Sequence, residues 1–360
     1  MSVFDLMTPL GYEQVAYCHD RTTGLRAIIA LHNTQLGPGL GGTRLYPYPD
    51  EDAALFDAVR LARAMTYKNA AAGLNFGGGK AVIIGNPADL RSETFFRAYG
   101  RFVQSLNGRY VTATDIGTSR NDMDWVREET RYVADTTPAF GGGGDTSSLT
   151  GLTVYLGMKA AAKHSFGTDS LSGRRIAVQG AGKIGHAVMG WAHGEGAEIL
   201  VADVDPSMVD RAVREFGAQP LAPADVVGAD CDILSPCALG GVLNDDTIPT
   251  IRAKAIAGGA NNQLLDEVPH GRALEARGIV YAPDFIVNSG GVINCADQLE
   301  PSGYSEPRAE ARSRRVYDTT ERVLALAKHE GISSAEAADR YAEQRIEAIS
   351  RVRHIYRGAG

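Results

Sequence analysis

Cysteine is scarce in this chain of 360 residues, which holds only Cys18, Cys231, Cys237 and Cys295. No two are spaced Cys-x-x-Cys and none has a histidine at a zinc-site interval, which sets aside a disulfide framework and a structural zinc. Reduced thiols in a cytoplasm are the expectation. Long hydrophobic runs are missing too. No stretch approaches the roughly 20 apolar residues that span a bilayer, and MSVFDLMTPL has neither the basic start nor the apolar centre of a signal peptide. A membrane is therefore not an expected partner. An excess of positive charge is also lacking: 36 Lys and Arg stand against 43 Asp and Glu, a net charge of −7. That balance argues against nucleic acid. No internal repeat is visible.

What is present is glycine, 42 residues of it, much of it in short clusters where backbone can pass close to a ligand. The length predicts two domains. In the first part, residues 13–20, 25–33 and 41–49 read as strands, with a turn around Gly24. Asp50 reads as the N-cap of an amphipathic helix over 51–68, on which Leu55, Val59, Ala62 and Met65 recur at helical steps. Residues 80–85 read as a buried strand, 92–106 as a helix and 110–117 as a strand entering a loop. GGGGDTSS, at 141–148, is the first strong break. Beyond it strands alternate with helices, one of them with Pro206 at its first position and Gly217 near its end. This rhythm predicts a parallel, doubly wound sheet. The expected fold is thus α/β: an N-terminal α/β substrate domain over 1–145, a doubly wound Rossmann domain over 146–329, and a cleft between them. The C-terminal helical stretch, 330–360, is expected to pack back on the first domain.

VQGAGKIG holds Gly180, Gly182 and Gly185 in the spacing Gly-x-Gly-x-x-Gly, after a predicted strand and at the start of a predicted helix. In that context the first glycine allows a tight turn, the second lets backbone approach a pyrophosphate, and the third lets helix pack on strand. Ala181, Lys183 and Ile184 complete the loop, and the helix N-terminus favours phosphate charge. Asp203 ends the next strand, eighteen residues past Gly185. A carboxylate there accepts hydrogen bonds from ribose hydroxyls and repels a 2′-phosphate. No Arg or Lys lies between 198 and 210, so NAD is expected rather than NADP.

AAGLNFGGGKAVII, at 71–84, raises a different question. Three glycines before Lys80 suggest a phosphate loop, but that pattern needs Gly at 74 and a hydroxyl at 81, where this chain has Leu74 and Ala81. Lys80 needs another role. A second lysine, Lys68, lies twelve residues earlier, and Asp115 follows a predicted strand. Together they suggest a polar site.

Here the chain closely resembles the glutamate/leucine/phenylalanine/valine dehydrogenases. The likeness is carried by GPGLGGTRLYPY, MTYKNAAAGLNFGGGKAVIIG, NGRYVTATDIGT, SPCALGGVLND, AGGANNQL and YAPDFIVNSGGVIN. It runs over nearly the whole chain and is nearest to the leucine and valine members. The resemblance implies NAD-dependent oxidative deamination of an L-amino acid to a 2-oxo acid and ammonia. By motif, Lys68 would bind the substrate α-carboxylate and Lys80 would act on the attacking water. Asp115 would shuttle protons, Asn262 would help to hold the substrate, and Gly41 and Gly42 would let backbone lie against it. Thr150, Ala238, Asn261 and Asn288 would approach the cofactor. A lysine that works on water must shed its proton, which a nearby cation and partial desolvation favour; Lys68 would be that cation. The glycines before Lys80 would keep bulk away from the substrate.

The glutamate members carry a lysine where this chain has Leu40, and an apolar pocket does not repay the burial of a carboxylate. With Leu40, the residues Ala113, Val292 and Cys295 form the expected side-chain pocket, so a branched-chain aliphatic substrate is expected. Departures from the leucine members are Cys295, where Val is common, and Thr114, where Glu is frequent. An aromatic amino acid dehydrogenase on the same fold is the alternative, and a non-catalytic NAD-sensing protein a third reading. His186 and His193 share a helix, but packing or surface roles are expected for them rather than metal binding. Cys295 is expected to pack rather than to sense oxidants. The resemblance also implies a homo-oligomer.

Overall fold

The computed structural model describes residues 3–352. Residues 353–360, the end of the stretch expected to return to the first domain, lie outside the described residues. The chain forms two compact units. One comprises the described parts of Met1–Gly144, Asn294–Glu306 and Ala342–Gly360, the other Asp145–Ile293 and Pro307–Tyr341. Residues 294–306 thus lie with the first unit, where the sequence reading ran the second domain unbroken from 146 to 329. The change of unit falls inside the helix Gly290–Gln298, where an unbroken helix gives no sequence break.

The first unit holds a five-stranded sheet in the order β1-β2-β4-β3-β5. The strands are β1 (Gln14–Asp20), β2 (Leu25–Asn33), β3 (Gly39–Tyr46), β4 (Gly77–Ile84) and β5 (Tyr110–Thr114). The pairs β1–β2 and β2–β4 are antiparallel, whereas β3 runs parallel to β4 and β5. The apolar run of β2 is explained by cover on both faces. Ile28 and Ala30 pack with Ala54, Leu55, Ala58 and Ala62 of the helix Glu51–Ala71. Ala27, Ile29 and Leu31 pack with Phe95, Phe96 and Tyr99 of the helix Glu93–Ser105. Asp50 caps the first of these helices, its side chain accepting from Ala53 N at 2.7 Å.

β4 starts at Gly77, three residues earlier than the sequence reading placed it, so the glycine triplet is strand and not loop. A Cβ on Gly78 would stand 2.0 Å from Thr66 Oγ1 and 2.3 Å from the Ala62 carbonyl oxygen. One on Gly77 would stand 2.0 Å from the Asn33 carbonyl oxygen, and one on Gly79 2.7 Å from the Tyr110 ring. The bare stretch is where the helix Glu51–Ala71 meets the sheet at backbone distance. Fold packing accounts for these glycines without any appeal to a substrate.

The second unit holds a six-stranded, all-parallel sheet in the order β11-β10-β9-β6-β7-β8. Its strands are β6 (Arg175–Gln179), β7 (Glu198–Ala202), β8 (Gln219–Pro220), β9 (Ile233–Pro236), β10 (Ala255–Ile256) and β11 (Val280–Tyr281). The chain steps outward from β6 to β8, then crosses and steps outward the other way from β9. The order therefore reverses between β6 and β9, where open α/β sheets place their ligands. Ile176 and Val178 face a core with Val154, Met158 and Val188, while Ala177 faces another with Leu234 and Ile256. The four cysteines are unpaired. No helix among the described residues is long and apolar enough to cross a membrane.

Candidate functional site

Lys80 and Asp115, far apart in sequence, meet in the first unit. Lys80 Nζ lies 2.6 Å from Asp115 Oδ2, with the two side chains 7% and 22% exposed. Asp115 follows the end of β5, and Lys80 shares a strand face with Gly78, the face covered by the helix Glu51–Ala71. Arg44 Nε stands 3.2 Å from the same Asp115 oxygen, and its Nη1 lies 2.8 Å from Asp57 Oδ2. Burial alone would raise the Asp115 carboxyl, but the Lys80 ammonium and the Arg44 guanidinium outweigh it and hold it at about 2.

Lys68 is half-buried on the last turn of the same helix. It lies one turn beyond Met65, whose Cγ a Cβ on Gly41 would approach to 3.1 Å. That Cβ would also stand 1.9 Å from the Gly79 carbonyl oxygen, and one on Gly42 2.2 Å from that of Thr114. Gly41 and Gly42, expected to lie against substrate, are thus already required by strand packing. Next to Lys68, Asn69 is wholly buried and donates to the carbonyls of Leu40, at 3.1 Å, and Gly77, at 2.6 Å. It pins the end of the helix to β3 and β4.

Two of the expected pocket residues pack together: Ala113 and Cys295 form an apolar patch with Ala134 and Leu299. Leu40 is buried on β3, and Val292 belongs to the second unit. Burial pushes the Cys295 thiol well up, and the charges of Asp135, Arg120 and Lys68 all reach it. Such a group is a packed thiol, not a reactive thiolate. Behind the patch, Thr114 Oγ1 and Arg120 Nε both donate to the Asp135 carboxylate.

The cofactor residues read from sequence lie in the second unit, around the reversal point of its sheet. A Cβ on Gly180 would meet Ala238 at 2.8 Å, and one on Gly259 would meet Ile184 Cγ2 at 2.4 Å. These contacts join the glycine loop to the segments after β9 and β10. Asn288 Nδ2 donates to Asn261 Oδ1 at 2.8 Å. Thr150 lies against Gly290, where a Cβ would stand 2.5 Å from the Thr150 nitrogen. Asn262 is exposed, in the left-handed conformation at φ 51°.

The residues present fit NAD. Gly180, at φ +94°, and Gly185, whose Cβ would stand 1.9 Å from the Gly180 carbonyl oxygen, are demanded by the fold. Gly182 is not, since a Cβ there would meet nothing within 4 Å. It opens the helix Lys183–Gly194, which has no capping side chain. Open space before uncapped N–H groups is a cradle for a phosphate anion. Asp203 accepts from Ala181 N at 2.6 Å and from Asp205 N at 2.9 Å, leaving lone pairs for hydroxyl donors. Asn288 Oδ1 is buried without a hydrogen-bond partner, so an incoming amide could satisfy it. His186 and His193 both pack on Phe216, and His186 Nε2 lies 2.7 Å from Glu215 Oε2.

Sequence reasoning missed Arg44, Asp57, Asn69, Arg120 and Asp135. Arg44 carried a signal: it is the only charge in the buried strand GLGGTRLY, and a charge there requires a partner. Asp135 carried none, its partners lying 15 and 21 residues away.

Residues 13–132 match the family model described as Glu/Leu/Phe/Val dehydrogenase, dimerisation domain. Residues 204–352 match that described as Glutamate/Leucine/Phenylalanine/Valine dehydrogenase. A leucine dehydrogenase of Geobacillus stearothermophilus is 53% identical over 353 residues, covering 98% of this chain and 95% of that protein. A valine dehydrogenase of Streptomyces coelicolor is 51% identical over 340 residues, covering 93% and 92%. The crystal structure of L-tryptophan dehydrogenase from Nostoc punctiforme superposes with a TM-score of 0.87 at 42% identity, covering 97% of this chain and 99% of that one.

Proposed function

This chain belongs to the glutamate/leucine/phenylalanine/valine dehydrogenase family, and on that premise we propose that it deaminates a branched-chain aliphatic L-amino acid with NAD. Leucine, valine or isoleucine gives the 2-oxo acid, ammonia and NADH, and the reverse reductive amination runs at the same site. The observation that carries the reading is the 2.6 Å pair of Lys80 and Asp115 on a unit that also holds the apolar patch of Ala113, Ala134, Cys295 and Leu299. Such a unit offers charge to the reacting end of an amino acid and an apolar surface to its side chain.

Gly182 and Asp203 would hold NAD, which would supply the acceptor for the hydride that leaves Cα. Lys68 holds the α-carboxylate, and Asn262 helps to hold the substrate. Loss of hydride from a Cα that bears a neutral amine gives an iminium ion, which must then add water. Lys80 orients that water and takes its proton, after which the tetrahedral adduct expels ammonia. The lowered pKa of Asp115 belongs to the state in which Lys80 is charged. Once Lys80 passes its proton on, one of the two cations holding the carboxyl down is gone, Arg44 alone remains, and burial acts more strongly to raise it. One proton can then move within the pair, as acid–base work on water requires.

The test is NADH consumption with ammonia and a panel of 2-oxo acids: 4-methyl-2-oxopentanoate, 3-methyl-2-oxobutanoate, phenylpyruvate, indole-3-pyruvate and 2-oxoglutarate. Fast turnover of the first two supports the reading. An aromatic preference would overturn it in favour of a second reading, for which one observation speaks: Ala113, Ala134 and Cys295 are all small side chains. NADH binding without turnover of any acid would point to a sensor. The protein works as a homo-oligomer in the cytoplasm; the dimerisation named in the matched family model and the four unpaired cysteines support this.

A further inference from the structure

We propose that Asp135 is a positioning residue for the Lys80–Asp115 pair, holding both ends of the short segment that carries Asp115. The proposal rests on the site reading given above. Asp115 lies on residues 115–119, between β5 and the helix Arg120–Arg127. The residue before this segment, Thr114, donates its hydroxyl to Asp135 Oδ2. The residue after it, Arg120, donates through Nε to Asp135 Oδ1 at 2.9 Å. One carboxylate therefore closes the loop at its base. Within the segment, Asp115 N–H donates to Thr118 Oγ1 at 2.9 Å and its carbonyl accepts from Thr118 N at 3.1 Å. Leu45 N donates to the Ile116 carbonyl at 2.9 Å, and Thr118 Oγ1 to that of Thr43 at 2.9 Å. These contacts fix the middle of the segment to β3, and Asp135 ties its two ends to each other.

Asp135 is costly where it stands. It takes the left-handed conformation at φ 57°, which favours glycine, and such a residue persists only when its surroundings over-determine it. Those surroundings are visible. Ala134 N donates to the Thr112 carbonyl at 2.8 Å, and Asp135 N donates to Gln298 Oε1 at 2.8 Å. The ion pair is also lopsided: the Asp135 side chain is 7% exposed and that of Arg120 30%. Water could serve Arg120 alone, so neutralising Arg120 is no reason to bury a carboxylate. Tying Thr114 to Arg120 is such a reason.

The test compares Asp135→Gly, Asp135→Asn, Asp115→Asn and the double variant Asp115→Asn/Asp135→Gly in kcat, KM and thermal midpoint. Glycine suits the backbone, so Asp135→Gly should fold. Asn, which tolerates the same conformation and still accepts from Thr114, is the second variant should it not. Asp135→Gly should lose about 10–100-fold in kcat, the cost of a misplaced catalytic group, with KM within about threefold of wild type. Asp135→Asn should recover part of that loss. In the Asp115→Asn background the same change should cost nothing further, because Asp135 acts through Asp115. The proposal is overturned by a wild-type kcat for Asp135→Gly, by an equal loss in both backgrounds, or by a loss that only follows the thermal midpoint. Wild-type turnover by Asp115→Asn would instead remove the site reading itself, and the proposal with it.

Discussion

Replacing Gly182 by alanine should separate cofactor binding from stability. The backbone at Gly182 has φ −62° and ψ −173°, which alanine adopts freely, and its new methyl would meet no atom within 4 Å. Alanine is a poorer N-cap than glycine by up to about 1 kcal/mol, while the stiffer unfolded chain returns about 0.4–1 kcal/mol. The net change is within about 1 kcal/mol of zero, or a midpoint shift of at most about 4 °C in a unit of this size. The methyl would stand in front of the uncapped N–H groups that, on the proposed reading, would face the pyrophosphate. Loss of one charge-assisted hydrogen bond costs about 1.5–3 kcal/mol, so NADH should bind about 10–100-fold more weakly. Gly185→Ala is the contrast. Its methyl would lie 1.9 Å from the Gly180 carbonyl oxygen, a backbone clash worth about 1–3 kcal/mol or more, so this variant should lose stability first. Thermal melts and NADH fluorescence titrations on both variants decide the matter. A Gly182→Ala protein that binds NADH like the wild type would refute the phosphate cradle. One that melts like Gly185→Ala would refute the open space.

Lys80→Ala should abolish turnover yet leave NADH affinity unchanged in titration; wild-type rates would overturn its assignment. Asp115, held at about 2 against an ordinary 3.8, contributes stability on the order of 2 kcal/mol. Because the folded carboxyl is the depressed one, that contribution is full above about pH 4 and is lost as pH falls toward 2. Acid unfolding should therefore be steeper over this range in the wild type than in Asp115→Asn, and parallel curves would contradict the pairing. Burial pushes the Cys18 thiol up to about 12 and that of Cys231 up to about 11, and raises those of Cys237 and Cys295. A thiol reagent at pH 8 should therefore react slowly with the native protein and with four thiols once it is unfolded; one fast native thiol would contradict this.

The parts legible in the sequence are those whose causes lie close along the chain. Strand, glycine loop, helix and Asp203 follow one another within about thirty residues, so period and spacing sufficed. Asp50 was readable as a cap because its partner is three residues on. Lys80 and Asp115 could be singled out as polar residues near turns, but their roles came only through resemblance, since 35 residues separate them. The start of β4 was misread because the reason for its glycines sits on another element, at Thr66 and Ala62. Asp135 was invisible because its backbone conformation and both of its side-chain partners are set by tertiary contacts alone.

The bare strand of β4 acts as a gauge. Thr66 and Gly78 are where helix touches sheet, and the two lysines lie two residues beyond each of them. The helix and the strand that carry the lysines thus meet where the Thr66 hydroxyl and the Ala62 carbonyl oxygen lie against Gly78, with no aliphatic layer between that a mutation could thicken or thin. Elsewhere the same helix rests on aliphatic groups such as Ile28 and Val82, which tolerate exchange at constant volume. A protein engineer seeking heat resistance could redesign those layers without detuning the chemistry. A single methyl at Gly78, 2.3 Å from the Ala62 carbonyl oxygen, would force helix from sheet, costing stability and setting the two amines out of step together.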